Sequence, residues 1–145
     1  GYMVQLYKSE SVESLDDNAL LGAHLHLHTT ASGKAMLAHF SHDSVQDVIE
    51  QHGLPQQTAA TISSKDQLFD ELEQIAEQGY ATNRGEHFPG VCAVAVPIVG
   101  EDETVFGAIS VSGPASRMGD ERIEEEIVPG LFNKQNIIEL KIAQS

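Results

Sequence analysis

The chain has little of several things. In 145 residues it holds one cysteine, Cys92, no tryptophan, and only eight lysines and arginines against 22 aspartates and glutamates. One cysteine excludes an intramolecular disulfide and any cysteine-rich zinc site. A net charge of −14 argues against a free nucleic-acid surface within these residues, because phosphate backbones need compensating positive charge. No apolar run approaches the roughly 20 residues that cross a bilayer, and no signal-peptide pattern is visible, so a cytoplasmic protein without a membrane partner is expected. Repeats and low-complexity linkers are also missing. Gly1, with no methionine ahead of it, reads as a scar or the edge of an excised fragment.

Apolar residues make up 41% of the chain, enough for one packed domain. The acidity is spread along the sequence. Dense carboxylates suit a protein adapted to high salt, where they are screened, and they also suit ordinary solubility.

The pattern predicts strands at Met3–Lys8 and Ala23–Leu27, with a loop or hairpin connection over Ser9–Asn18. Ala19–Leu21 is too short for a stable helix. A short helix is expected from the Thr29–Lys34 turn to about His39. Ser41 is placed to cap a second helix carrying Val45, Val48 and Ile49, ended by Gly53. Ser64, with Gln67 three residues on, resembles a capping box for a third helix with Leu68, Leu72, Ile75 and Ala76 on one face, ended by Gly79. A strand from Tyr80 leads into a polar turn, Asn83–Gly90. Val91–Val99 is almost wholly apolar and reads as a central strand, with Pro97 at a bulge or the far end. Gly100–Glu103 is a hairpin turn, Thr104–Ser112 the partner strand, and Gly113-Pro114 its end. Asp120 can cap a last helical stretch with Ile123, Ile127 and Leu131. Pro129 kinks or splits it, and Ile137–Ile142 continues the apolar pattern. The expected fold class is α/β, an antiparallel central sheet with helices packed on it.

Leu27–Ala38, L-H-T-T-A-S-G-K-A-M-L-A, is the stretch around which a site can form. A strand running into a glycine-containing helix start presents backbone N–H groups to an anion. The phosphate-loop pattern is missing, since Ala35 follows Lys34, so nucleotide hydrolysis is disfavoured. Thr30 or Ser32 can add a hydroxyl. Equally, Ser32 caps the helix and Gly33 permits close packing. His24, His26 and His28 at period two share a strand face, for a metal, as a solvated or partner-contacting face, or with His28 at a pocket edge. Adjacent Glu86 and His87 suggest an acid–base pair, weakened because neighbours on an extended segment face opposite ways. Cys92 among apolar neighbours reads as a buried structural thiol. Ser110 and Ser112 share one face, as polar anchors of a small-molecule pocket or as part of a solvated sheet. Arg117 pairs with an acid of the last helix or helps hold an anion.

Taken together, these motifs resemble the effector-binding domain of the IclR family of transcriptional regulators. The resemblance is carried by Leu27-His28-Thr29-Thr30-Ala31-Ser32-Gly33-Lys34-Ala35, Gly53-Leu54 with Thr58 and Thr61-Ile62, and Gly79-Tyr80-Ala81. Glu86, Gly90, Ala95, Pro97, Ile109–Pro114 and Arg117 continue it, over nearly the whole chain. It implies a GAF-like sensor domain over residues 1–145, with an N-terminal winged helix-turn-helix outside this sequence for operator DNA, in a homodimer or homotetramer. It implies a small organic acid as effector, no catalysis, no cofactor and no metal. The effector would sit against Ala31–Lys34. A family acidic position falls at Asn83, a family cysteine at Ala93 and two family serines at Ser110 and Ser112, so the expected ligand-binding set is Thr30, Ala31, Ser32, Gly33, Lys34, Asn83, Glu86, Ala93, Ser110 and Ser112. Asn83 and Ala93 depart from the family, and Cys92, one residue off, faces the other way. The alternative is an oligomerisation module of such a regulator with no small-molecule effector.

Overall fold

A computed structural model describes residues 2–4 and 24–145, and only the backbone of residues 2–4, 24 and 25. Most of the expected Met3–Lys8 strand, the Ser9–Asn18 connection and Ala19–Leu21 lie outside the described residues.

Strand β1 (Tyr2–Val4) pairs antiparallel with β2 (His24–His26). The chain then makes a 3₁₀ turn, Leu27–Thr29, and enters helix α1, Ala31–Leu37, which ends two residues short of His39. Helix α2, His42–His52, begins where the Ser41 hydroxyl accepts the Ser44 N–H and ends at Gly53. Helix α3, Lys65–Gln78, begins in the same way at Ser64, whose hydroxyl accepts the Gln67 N–H. Gly79, at φ 89°, closes it in the left-handed conformation that glycine tolerates. Leu68, Leu72 and Ile75 are buried as the periodicity requires, but Ala76 is exposed.

Strands β3 (Ala81–Arg84), β4 (Val91–Val99) and β5 (Val105–Pro114) form an antiparallel meander in that order. Strand β5 runs through Gly113-Pro114 instead of stopping there, because Val91 and Cys92 of β4 extend far enough to pair with both. The irregularity of the ladder lies at Ile98/Val99, beside Pro97. Directly opposed residues of an antiparallel pair share a face. Register therefore puts Ala81, Asn83, Ala93, Ala95, Ser110 and Ser112 on one face, and Cys92, Val94, Val96, Ile109 and Val111 on the other.

Each face has its own apolar cluster. Ala81 and Ala95 pack with Leu27, Ala31, Ala35 and Leu37 of the α1 region and with Leu68, Leu72 and Ile75 of α3. Cys92, Val94 and Val96 pack with Met118, Ile123, Val128 and Leu131. The last four belong to the C-terminal segment. There a 3₁₀ turn (Ala115–Arg117) precedes α4 (Asp120–Arg122), a π-helical segment (Ile123–Ile127) and α5 (Val128–Ala143). Gly119, not Asp120, occupies the cap position, and no side-chain cap is made. Pro129 does interrupt the α pattern, and the form of the interruption follows from its ring. Proline donates no N–H and collides with the carbonyl four residues back. The wider π turn, in which Val128 N–H reaches Ile123 C=O, relieves that collision without ending the helix.

Candidate functional site

The site grows from the junction between the 3₁₀ turn and α1. Thr30 is extended (φ −119°, ψ 150°), and its hydroxyl accepts the Gly33 N–H at 3.0 Å, so Thr30 and not Ser32 is the cap. Ser32 is half-buried. By helix geometry the N–H groups of Ala31 and Ser32 have no acceptor within α1. Gly33 is set by packing: a Cβ there would lie 2.1 Å from the Leu27 carbonyl oxygen. No side chain fits, because the obstacle is backbone.

Lys34 is fully buried. Its Nζ donates to Glu86 Oε1 at 2.6 Å and to Glu71 Oε1 at 2.7 Å. The other Glu86 oxygen accepts the Arg84 N–H at 2.9 Å, and the Glu86 N–H donates to Asn83 Oδ1 at 2.8 Å. Asn83 Nδ2 donates to the Thr29 carbonyl at 2.9 Å. Thr61 and Thr58 hydroxyls donate to the carbonyls of Glu86 and Gly85, fastening the loop after α2 to the 85–90 turn. Lys34, Asn83 and Glu86 are thus brought together, and each spends its polar atoms on protein partners. No buried side-chain nitrogen or oxygen lacks a partner among the described residues. Glu71 was not singled out from sequence. It lies on α3 between buried Leu68 and Leu72, and nothing in the local pattern separates it from its exposed acidic neighbours.

Ala93, Ser110 and Ser112 share the sheet face that α1 covers, since Ala93 stands between Asn83 and Ser112 in register and packs on the same cluster as Ala31. Both serines are exposed, which leaves their hydroxyls open beside α1. Cys92 is buried on the opposite face, as its position one residue before Ala93 requires.

Glu86 and His87 do not diverge. The 85–90 segment is a turn, with Gly85 at φ 75°, and both side chains reach the 29–34 segment: Glu86 meets Lys34, and His87 Nδ1 lies 3.3 Å from the Thr29 hydroxyl. That engagement with structural partners does not favour an acid–base role. The histidine face is broken as well, because His28 sits in the 3₁₀ turn and not in β2. His28 is buried, and its Nε2 donates to the Pro55 carbonyl at 2.9 Å. Burial, reinforced by the nearby charges of His26 and Lys34, lowers its pKa below the ordinary histidine value against the opposing pull of the Pro55 bond. Among the described residues no group of three or more His, Cys, Asp or Glu is placed to hold a metal. Arg117 offers its carbonyl to the Arg122 guanidinium at 2.9 Å.

Comparison with known proteins places this geometry. The family model described as "Bacterial transcriptional regulator IclR C-terminal" matches residues 1–134. The acetate operon repressor of Salmonella typhimurium is 37% identical over 108 residues, 74% of this chain and 39% of that protein. The crystal structure of the transcriptional regulator YaiJ superposes with a TM-score of 0.88 at 28% identity, covering 99% of this chain and 81% of that one. The inducer-binding domain of an Acinetobacter PobR double mutant, in complex with 3-hydroxybenzoic acid, gives 0.78 at 26% identity, covering 83% and 69%. The chain spans about two fifths of the length of the curated relatives it matches first.

Proposed function

Because the chain belongs to the IclR family of transcriptional regulators, matching its C-terminal, effector-binding part, we propose that residues 1–145 are a single GAF-like sensor domain that reversibly binds a small organic acid and acts on no substrate. The family is one of regulators, not enzymes. A winged helix-turn-helix elsewhere in the parent protein would contact operator DNA, and the regulator would work as a cytoplasmic homodimer or homotetramer. Effector binding would shift the balance between two quaternary arrangements of different operator affinity.

One observation carries the reading: the first turn of α1 and the open hydroxyls of Ser110 and Ser112 share a sheet face across Ala93. In this reading the amides of Ala31 and Ser32 and the hydroxyls of Thr30, Ser32, Ser110 and Ser112 meet the effector. Gly33, Lys34, Asn83 and Glu86 fix the position of that turn. The net charge near Lys34 is already negative, with two carboxylates on one ammonium. A carboxylate effector is therefore held by N–H and O–H groups and not by an ion pair with Lys34. The acid bound in the PobR complex, 3-hydroxybenzoic acid, has the acceptor set such a wall would meet.

Calorimetric titration with 3-hydroxybenzoate and a series of short aliphatic acids tests this. Saturable binding to the parent chain that is weakened at least tenfold by Ser110→Ala with Ser112→Ala is expected. Binding unchanged in the double variant would remove the site. The second reading, an oligomerisation module with no effector, is favoured by one observation, that Lys34, Asn83 and Glu86 are satisfied by one another. Absence of saturable binding across the series, with quaternary structure intact, would establish it.

A further inference from the structure

The C-terminal helical rod has an outer stripe that the sheet does not use. At 100° per residue, Val128, Leu131, Ile138 and Ile142 turn toward the sheet, and they are buried or half-buried. Gly130, Asn133, Ile137, Leu140 and Lys141 turn away, with Ile137 40% and Leu140 61% exposed. The π segment alters the phase of the turn before them. It keeps Ile123 on the core side and leaves Glu126 in line with Gly130 on the outside.

Three features of this stripe point to one occupant. A glycine in a helix interior costs about 1 kcal/mol relative to alanine, and a Cβ at Gly130 would meet nothing within 4 Å. Its lack of a side chain therefore answers no need inside this molecule. Two exposed aliphatic side chains lie about two and about three turns beyond a helix position where an outside backbone could approach closely. Charge is also split along the rod: Asp120, Glu121, Glu124, Glu125 and Glu126, with Arg122 among them, lie at one end, and Lys141 lies at the other, where the nearby Glu139 accepts the Val99 N–H.

We propose that this face pairs with the same face of a second copy, antiparallel about a two-fold axis at Asn133–Lys134. That axis sets Ile137 of each copy over Gly130 of the other and Lys141 of each copy beside Glu126 of the other. Both contacts occur twice, as an isologous interface demands. A bulky residue over glycine is the close helix approach that ridges-into-grooves packing allows. Lys141 of each copy then faces the acidic end of the other, in an otherwise repelling, acidic chain. Glu126 meets Arg122 at 3.5 Å through one oxygen, and its side chain is 72% exposed, so the second oxygen is available. The inference rests on the oligomeric part of the function proposed above and names its surface.

Sedimentation equilibrium of the 145-residue chain over a micromolar concentration series tests it. Gly130→Gln is the deciding variant, since glutamine improves the isolated helix. The dimer is expected to weaken about tenfold or more, while the melting temperature of the monomer, measured at concentrations below the dimer range, does not fall. Glu126→Lys and Lys141→Glu should each weaken the dimer, and the two together should restore it. A chain monomeric throughout overturns the proposal and leaves the stripe to a different partner. A dimer indifferent to Gly130→Gln and to both charge reversals keeps the oligomeric reading and removes this surface. Single reversals that weaken the dimer without rescue by the pair overturn the antiparallel register.

Discussion

Lys34 has no exposed surface and two carboxylates within 2.7 Å. Removing its charge leaves Glu86 buried without its cation, a change that costs about 3–5 kcal/mol when a buried pair loses one member. Lys34→Met is therefore expected to lower the unfolding free energy from urea titrations by that amount, and Glu86→Gln by less, since the amide keeps an acceptor. Asn83 gives a sharper contrast. Its amide donates to the Thr29 carbonyl and its oxygen accepts from Glu86. Asn83→Asp removes the donor and places a carboxylate against a carbonyl oxygen, so a loss of about 1–3 kcal/mol is expected in the same titration. His28 carries a pH dependence. Its folded pKa lies below the unfolded value of about 6.5, so the unfolded chain takes the proton first as pH falls. Its contribution is fully present above about pH 6.5 and is lost progressively as pH drops toward the folded pKa. Melting temperatures followed downward from neutral pH should fall in the parent chain and fall less in His28→Gln.

At the scale of elements, the contact between Gly33 and Leu27 fuses the 3₁₀ turn to α1. Gly33→Ala places a methyl 2.1 Å from a backbone oxygen, which no rotamer can relieve, and a loss of about 3 kcal/mol or more is expected by thermal or chemical denaturation. How far such elements could be read from sequence differs for a physical reason. Strands β4 and β5 were legible because a continuous apolar run, a four-residue turn and a second apolar run admit one pairing. The hydroxyl caps at Ser41 and Ser64 were legible because capping is local. The burial of Lys34 was not, because a lysine after glycine reads the same whether it faces solvent or two carboxylates from sequence positions 37 and 52 residues away. Ser110 and Ser112 could be assigned to a common face by their period of two. Whether that face is covered depends on how far α1 extends over β5, and no residue of β5 encodes that. Pro129 announced an interruption, but a π turn and a kink satisfy a missing N–H equally well.

The whole molecule is an acidic body, with eight lysines and arginines against 22 aspartates and glutamates. A net charge of −14 destabilises the compact state by self-repulsion, and salt screens it. Molar potassium chloride is expected to stabilise the fold by about 1 kcal/mol or more relative to dilute buffer, roughly 2–4 °C in Tm for a chain of this size. Differential scanning calorimetry across a salt series would show a flat or falling Tm if the acidic surface carries no such penalty. The distance between Lys34 and its carboxylates along the chain also has a consequence for synthesis. The three-stranded sheet joins neighbours in sequence and is complete within itself. The helix that completes the site is made first and waits for its partners: Glu71 follows Lys34 by 37 residues and Glu86 by 52. On the ribosome, Glu71 and then Glu86 emerge before β4 and β5, so the full set of carboxylates for Lys34 is present before α1 has its sheet to pack on.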